Sequence, residues 1–476
     1  MSSTVSLSSI VLIVISTIIV LGGTSLVAIL IGKKKKSQED WAVGGRSLPI
    51  YVIVGTQYAT AMGGGILVAH VGIGYGSGWS ALSYGLLVSG GIAFLAVIAK
   101  WLREQNFTTV PDIITRFYGD NKVLLVLASV GSILVPFGWM CTQLVAFGKL
   151  YSAITGLSVP LLMTIFAIIS LAYVLPSGLS SVAWTDFIFG CLMLCMTVFS
   201  VYFVMKLGGG WANIVAKAPP EITAFPGGMK AVGWATIALW SLSILPGSLT
   251  NQMYYQRIFA IDKVKLVRTS LIISAIVILT ADVWASFMGI AIRSLKPGLA
   301  PELASGWFLT QVPAWFLALF SAFLCATIMS TIDSGIQSVA VNITTDIYHK
   351  LVNKKATDKD LTKYSRIFSA ASVALALALA LWYPQALGWL VATYAYSAAV
   401  LLFPIFMGYF FRNTKVLNAQ GAIASMVGGV IGCAIATVLK IKIPYVAYGL
   451  VGSLVCLFLV SYLTKKQSSK LRASNN

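Results

Sequence analysis

Long apolar stretches separated by short polar breaks run along the chain from Ile10 to Leu463. About 20 apolar residues in helical form span the hydrocarbon core of a bilayer. Thirteen such segments are predicted, near 9–31, 48–70, 79–100, 123–150, 158–176, 182–206, 231–255, 269–293, 310–347, 364–383, 387–410, 418–439 and 444–463. Helices are expected throughout, because irregular backbone in lipid leaves its polar groups unpaired. The expected architecture is an all-α integral membrane protein, one continuous membrane domain over 1–476 with its bundle at about 9–463 and a polar tail at 464–476.

Two segments depart from an ordinary span. The second carries Ala59-Thr60-Ala61-Met62-Gly63-Gly64-Gly65 at mid-depth, and the seventh carries Pro246-Gly247 near its middle. Each glycine weakens a helix by about 1 kcal/mol relative to alanine, and a proline removes one backbone bond and collides with the preceding turn. Both are places where a helix opens, and freed backbone is tolerated at membrane depth only where it lines protein or a watery cavity. Interrupted segments in corresponding positions of two halves point to a transporter's binding site. Segments 2 and 7 stand five apart, as in an inverted repeat of five helices. The alternative is that the glycines serve close helix packing.

Composition agrees with a lipid solvent, since 58% of the residues are hydrophobic and 10% charged, against roughly 25% charged in soluble domains. The net charge of +19 raises nucleic acid as a partner, and the placement of the charges argues against it. With the loop at Lys33 to Lys36 and Arg46 in the cytoplasm, 25 of the 33 lysines and arginines fall on the inner side and 8 on the outer. That is the positive-inside pattern. It predicts an inner-membrane protein with its N-terminus outside and its C-terminus cytoplasmic. The first segment, followed rather than preceded by lysines, is expected to be a retained anchor. The six cysteines all lie in apolar runs, with no metal spacing or disulfide framework.

In the ninth segment Thr327, Ser330, Thr331, Ser334 and Ser338 recur at three- and four-residue steps and share one helical face. Such hydroxyls often bond back to their own helix. A monovalent cation, however, needs several oxygens without much charge, and Ser330 and Thr331 beside the freed carbonyls of an opened second segment would supply them. The sequence resembles the sodium/solute symporter family over nearly its whole length. The resemblance rests on Asp40 to Pro49 (DWAVGGRSLP), Ser181 to Asp186 (SVAWTD), Asn251 to Arg257 (NQMYYQR) and Met329 to Ser334 (MSTIDS) leading to Asp346-Ile347-Tyr348. It implies a LeuT-like 5+5 inverted-repeat core with one helix before it and two after. It also implies sodium as the coupling ion, held by the carbonyls of Ala59, Met62 and Thr327 and the hydroxyls of Ser330 and Thr331. The family usually has alanine where Thr327 stands, a change that a backbone ligand survives.

Three acidic residues, Asp186, Asp282 and Asp333, fall inside predicted spans, where a central charge costs about 2.5–3.5 kcal/mol or more and is functional by default. Some relatives place a second sodium beside the WTD-type aspartate, which here implicates Asp186, Asp333 and Ser334. The two carboxylates equally suit a shared proton, or a buried basic partner for Asp333. Asp186 near a helix start has the plainer reading of a carboxylate at a positive helix end, and Asp282 that of a hydrogen bond to a neighbouring helix. His70, two turns beyond Met62, suits anion recognition or gating, with hydrogen-bonded packing as the alternative.

Gly63 and Gly64, with Trp139 and Gln143 in segment 4 and Trp240 and Asn251 in segment 7, are the candidate substrate residues; Tyr394 and Tyr396 also fall on core segments. A choline-type cage needs several aromatic faces, and Met62 and Asn251 stand where the choline carriers, which the chain resembles around Gly63 to Gly65, have aromatics. Sugar carriers would have more polar groups than Gln57 and Thr60. The expected activity is therefore sodium-coupled uptake of a small organic solute by alternating access, an amino acid or carboxylate being favoured because half-helix N-termini attract anions. A proton-coupled carrier using Asp186 and Asp333 is the alternative. A membrane sensor would need an attached signalling module, and an enzyme is not expected, since the sequence has no nucleophile or cofactor motif and its two histidines lie 279 residues apart.

Overall fold

The computed structural model describes residues 6–32, 37–175, 178–441 and 443–474. The basic run at 33–36 lies outside the described residues. Ten helices are long and apolar enough to cross a membrane, eleven when a bent pair counts as one span. The other two expected segments exist as shorter helices. The fifth is Val159–Val174, of 16 residues, and at 1.5 Å per residue reaches only about 24 Å. The seventh is cut in two.

In chain order the helices that frame the site are α1 (Leu7–Gly32), α2 (Ile50–Ala61) and α3 (Gly65–Ser77), then α4 (Ser80–Glu104), α5 (Val110–Tyr118), α6 (Lys122–Thr155), α7 (Val159–Val174) and α8 (Leu179–Gly208). After them come α9 (Trp234–Ser248), α10 (Gln252–Ala260), α11 (Val267–Leu295), α12 (Ala304–Leu309), α13 (Ala314–Asn342), α14 (Asp358–Trp382), α15 (Ala386–Phe410), α16 (Ala419–Val438) and α17 (Tyr445–Ser474). The helix α13 is the axis of the bundle, with 89% of its spanning window buried, and α1, α6 and α8 pack around it. Helix α2 lies on α8, α3 on α11, and α9 on α15, while α16 and α17 pair at the edge. Lipid-facing side chains such as Ile18, Ile19, Leu26 and Leu30 of α1 are exposed, as a membrane protein's outer surface requires.

Both anticipated interruptions occur. Helices α2 and α3 meet at 48° across Met62 to Gly64, and α3 opens with wide π turns over Gly65–His70. The second interruption lies at Leu249 to Asn251, one turn after Pro246, which remains inside α9. The reason is capping. The side chain of Asn251 accepts from the amide of Met253 at 3.0 Å and starts α10, satisfying one of the amides a new helix leaves free.

Several of the sequence strings prove architectural. Ser37 and Asp40 form a reciprocal capping box that starts the helix Gln38–Val43. Gly44 and Gly45 both have φ of +62°, a conformation that side chains disfavour. Asp346 accepts from Thr109 at 3.0 Å and from Lys350 at 2.6 Å, tying the end of the ninth span to the start of α5.

Candidate functional site

The break in the second span is shaped by contact as much as by helix propensity. A Cβ on Gly63 would stand 2.1 Å from Thr331 Oγ1, and one on Gly64 would stand 2.3 Å from Ala146 Cβ. Gly64 itself keeps right-handed angles, φ −57° and ψ −21°, so close approach, not backbone conformation, requires glycine there. The amide of Gly64 donates to Gln143 Oε1 at 2.6 Å. Gln143 therefore reaches the break, and the amide it receives is no longer free for a ligand.

Across this break α13 presents its hydroxyl face. Ser330 Oγ donates to the Thr327 carbonyl at 2.9 Å and to the Ala59 carbonyl at 3.3 Å. Thr331 Oγ1 reaches the Thr60 carbonyl at 2.9 Å and that of Thr327 at 3.2 Å. Five neutral oxygens from two helices thus lie together, all on residues that are buried. Met62 is buried beside them, its amide closing α2 on the Tyr58 carbonyl at 2.8 Å. Thr327's own hydroxyl turns away, bonding back to Phe323 at 2.8 Å. The oxygen set suits a cation that prefers dipoles to carboxylates. Further along the same face, Ser338 donates to Gln256 of α10.

One turn beyond Ser330 the chemistry changes. Arg257, from α10, is 1% exposed and enters between α2, α8 and α13. Its Nη2 donates to Ser334 Oγ at 2.7 Å, Thr56 Oγ1 at 3.2 Å and Thr60 Oγ1 at 3.3 Å. The same hydroxyls face Asp186. Thr56 donates to Asp186 Oδ2 at 2.6 Å, and Thr60 and Ser334 reach that oxygen at 3.4 Å. The guanidinium stands 3.8 Å from it. Three hydroxyls therefore relay between a buried cation and a buried anion, which is how a bundle interior holds both. Asp333 is buried on the adjoining face of α13, and its Oδ1 has no hydrogen-bond partner. Of the group Asp186, Asp333 and Ser334, then, two members hold an arginine. Sequence reasoning gave Arg257 no role; the available signal was a lone arginine within a predicted core string, opposite two intramembrane aspartates.

A cavity of about 30 Å³ opens beside the break, room for one or two waters. Thr60, Gly65, Trp139, Gln143 and Thr331 line it, together with His70, Tyr84, Tyr254, Asp282 and Tyr394. Trp139 and Gln143 thus border the cavity. Trp240 packs edge-on against Tyr84 with ring centroids 5.3 Å apart, Asn251 caps α10, and Tyr396 pairs with Tyr445 at 5.9 Å. His70 Nδ1 and Asp282 Oδ1 are 2.6 Å apart. That pair joins α3 to α11 across 212 residues of sequence. No motif connects its members; asking which titratable groups in other spans could partner Asp282 was the route to finding it.

The chain thus combines a bent span, an interrupted span five segments later and a neutral oxygen cluster between α2 and α13. The chain matches the Sodium:solute symporter family over residues 41–429 and belongs to it. In sequence it is similar to a monocarboxylate transport permease protein of Rhizobium johnstonii, 26% identical over 294 residues, which cover 58% of each protein. The chain thus spans less than two thirds of the length of that curated relative. In structure it is similar to a Na+-coupled sialic acid symporter in a substrate-bound outward-open state, with a TM-score of 0.81 at 18% identity, covering 95% of this chain and 98% of that one. It is also similar to a nucleobase-cation-symport-1 family transporter in a closed conformation with bromovinylhydantoin bound, with a TM-score of 0.62 at 14% identity, covering 90% and 95%. The fold is LeuT-like.

Proposed function

We propose that the chain imports a small organic solute together with sodium by alternating access. Sodium is held by the carbonyls of Ala59, Met62 and Thr327 and the hydroxyls of Ser330 and Thr331, and the solute by the cavity beside Gly63 to Gly65, which widens from its present room for one or two waters as the bundle opens. The supporting observation is the contact of Ser330 and Thr331 with the Ala59 and Thr60 carbonyls across the break. A neutral oxygen cluster shared by two helices binds a monovalent cation reversibly, and filling it ties α2 to α13 and favours one arrangement of the bundle. Linkage then requires sodium and solute to raise one another's affinity by the same factor.

The arginine at Asp186 and Ser334 supports coupling to one sodium, because the positive charge a second ion would bring is already supplied by the chain. Asp333, buried with an unpartnered oxygen, favours proton coupling as the second reading. An amino acid or carboxylate is the solute class, and the similarity to a protein named as a monocarboxylate transport permease supports the carboxylate. The distribution of lysine and arginine supports an inner-membrane location with the N-terminus outside and the C-terminus cytoplasmic.

The test is uptake of a panel of labelled solutes into proteoliposomes under an imposed sodium gradient, with potassium replacing sodium in the control. Accumulation of one solute only with the sodium gradient is expected. Equal accumulation in sodium-free buffer driven by a proton gradient would replace this reading with the second.

A further inference from the structure

The break in the second span does not by itself explain what recognises the solute, because the Gly64 amide is taken by Gln143. Among the remaining polar atoms around the cavity, three phenol hydroxyls, an indole N–H and the second oxygen of Asp282 lack a well-aligned partner. The hydroxyls of Tyr84, Tyr254 and Tyr394 and the indole N–H of Trp139 make no well-aligned hydrogen bond, although Tyr394 lies within loose reach of Tyr254 and Trp139, and an indole nitrogen can only donate. Leaving such groups unpaired when buried costs free energy that a ligand's acceptors would recover. His70 adds to them. Its Nδ1 is committed to Asp282, and among the described residues its Nε2 has no hydrogen bond. Asp282 is fixed in turn by Gly85 of α4, where a Cβ would stand 2.3 Å from the aspartate's Cβ and Cγ. The ring of His70 lies against Tyr84 with centroids 4.4 Å apart, which holds the imidazole at the cavity wall.

We infer that His70, oriented by Asp282, is the recognition residue for a carboxylate, and that the solute is a small monocarboxylate. The ring is held by Asp282 at Nδ1 and meets the solute's carboxylate at Nε2. No lysine or arginine stands among the described residues lining the cavity, so His70, balanced by Asp282 beside it, is the one group among them able to carry a positive charge. The phenols and the indole add neutral donors to the same carboxylate, and Ile66, Val88, Ile278 and Leu390 give the wall an apolar side for a short carbon chain. Asp282 acts through His70 and is a positioning residue. This inference rests on the cavity being the solute site, as proposed above.

The experiment compares lactate with its uncharged isostere lactamide in proteoliposomes, alongside the thermal shift that sodium gives the purified protein. Wild type should take up labelled lactate, with lactamide competing at least about tenfold more weakly, because a site built around a charged hydrogen bond rejects the analogue that lacks it. The two amide substitutions of His70 separate recognition from structure. His70→Asn places a nitrogen near Nδ1 and keeps the bond to Asp282, but lacks the outer arm; it should lose about tenfold or more in lactate affinity while its sodium-induced thermal shift persists. His70→Gln places a nitrogen near Nε2 and should retain more of the discrimination. Asp282→Asn should reduce the lactate-to-lactamide ratio, and serves as the second variant should His70→Asn fail to fold. Wild-type selectivity in both His70→Asn and Asp282→Asn would overturn the inference. A sodium shift in wild type with no binding of lactate, pyruvate, acetate or butyrate would overturn it too, leaving sodium coupling standing. Loss of any sodium effect, with lactate still discriminated from lactamide, would instead refute the coupling and leave His70 in place.

Discussion

Two places on the inner face of α13, one turn apart, join it to α2 by opposite means. At Ser330 and Thr331 the surroundings are hydroxyl and carbonyl dipoles. At Ser334 the surroundings include the carboxylate of Asp186, and the charge is the chain's own Arg257. The difference concerns reversibility. A buried carboxylate without a partner is costly, and a tethered guanidinium meets that cost permanently. Neutral oxygens carry no such debt, so their place can be filled and emptied within a transport cycle. The charged cluster acts as a fixed joint between α2, α8, α10 and α13, and under the function proposed above the neutral one is an exchangeable joint between α2 and α13.

The largest effect should come from removing the fixed charge. Arg257→Gln leaves Asp186 buried at 0% exposure beside Asp333, and breaking a buried pair by deleting one partner costs about 3–5 kcal/mol. Thermal unfolding in detergent should show that loss, and sodium-driven uptake should vanish. Adding Asp186→Asn should recover part of the stability, since coupled residues do not add independently. Arg257→Lys should fall between, because an ammonium keeps the charge without the planar fork that serves three hydroxyls at once. If Arg257→Gln is as stable as wild type and still transports, the charged cluster is no joint and the contrast between the two places fails.

That contrast was only half legible in the sequence. The hydroxyl stripe could be read because helical spacing alone places 327, 330, 331, 334 and 338 on one face. Three consecutive glycines likewise marked the bend at Met62 to Gly64, where weak helix propensity and crowding by Thr331 and Ala146 act at one place. The second interruption was read a turn too early. Pro246 weakens α9, but the chain restarts where Asn251 can cap, and a cap is a short-range signal that hydropathy does not carry. The spans Val159–Val174 and Trp234–Ser248 are shorter than their apolar runs suggested. Arg257 and the His70–Asp282 pair were not assigned, for a physical reason: each partnership joins residues 71 to 212 positions apart (Asp186 to Arg257 and His70 to Asp282), and nothing local in either segment specifies the other.

At the exchangeable place the expected effects are smaller and kinetic. Ser330→Ala and Thr331→Ala each remove one oxygen from a set of several. Each should raise the sodium concentration for half-maximal uptake by about three- to tenfold, the range for one lost hydrogen-bond-strength contact. Solute affinity at saturating sodium should change less, because the linkage factor is recovered once the ion is bound. Neither variant should lose much stability, since the freed Ala59 and Thr60 carbonyls lie at an already opened helix end. Should both leave the sodium curve in place, the ion sits elsewhere, and the neutral cluster is merely a hydrogen-bonded crossing of α2 and α13.

The smallest effect, and the sharpest control, belongs to Thr327→Ala. Thr327 contributes to the neutral cluster through its carbonyl, which accepts from Ser330 at 2.9 Å and from Thr331 at 3.2 Å. Its hydroxyl points back along α13 to the Phe323 carbonyl at 2.8 Å, a bond that adds little to the helix it sits in. Alanine at this position keeps the carbonyl, favours the helix and leaves both neighbouring hydroxyls their acceptor. The sodium activation curve should therefore move by less than about twofold, inside the few tenths of a kcal/mol that separate threonine from alanine in a helix. A shift as large as that of Ser330→Ala would mean that the Thr327 hydroxyl swings from Phe323 to the ion. The exchangeable joint would then be a place α13 reshapes on binding, and no longer one that waits ready-made beside the fixed one.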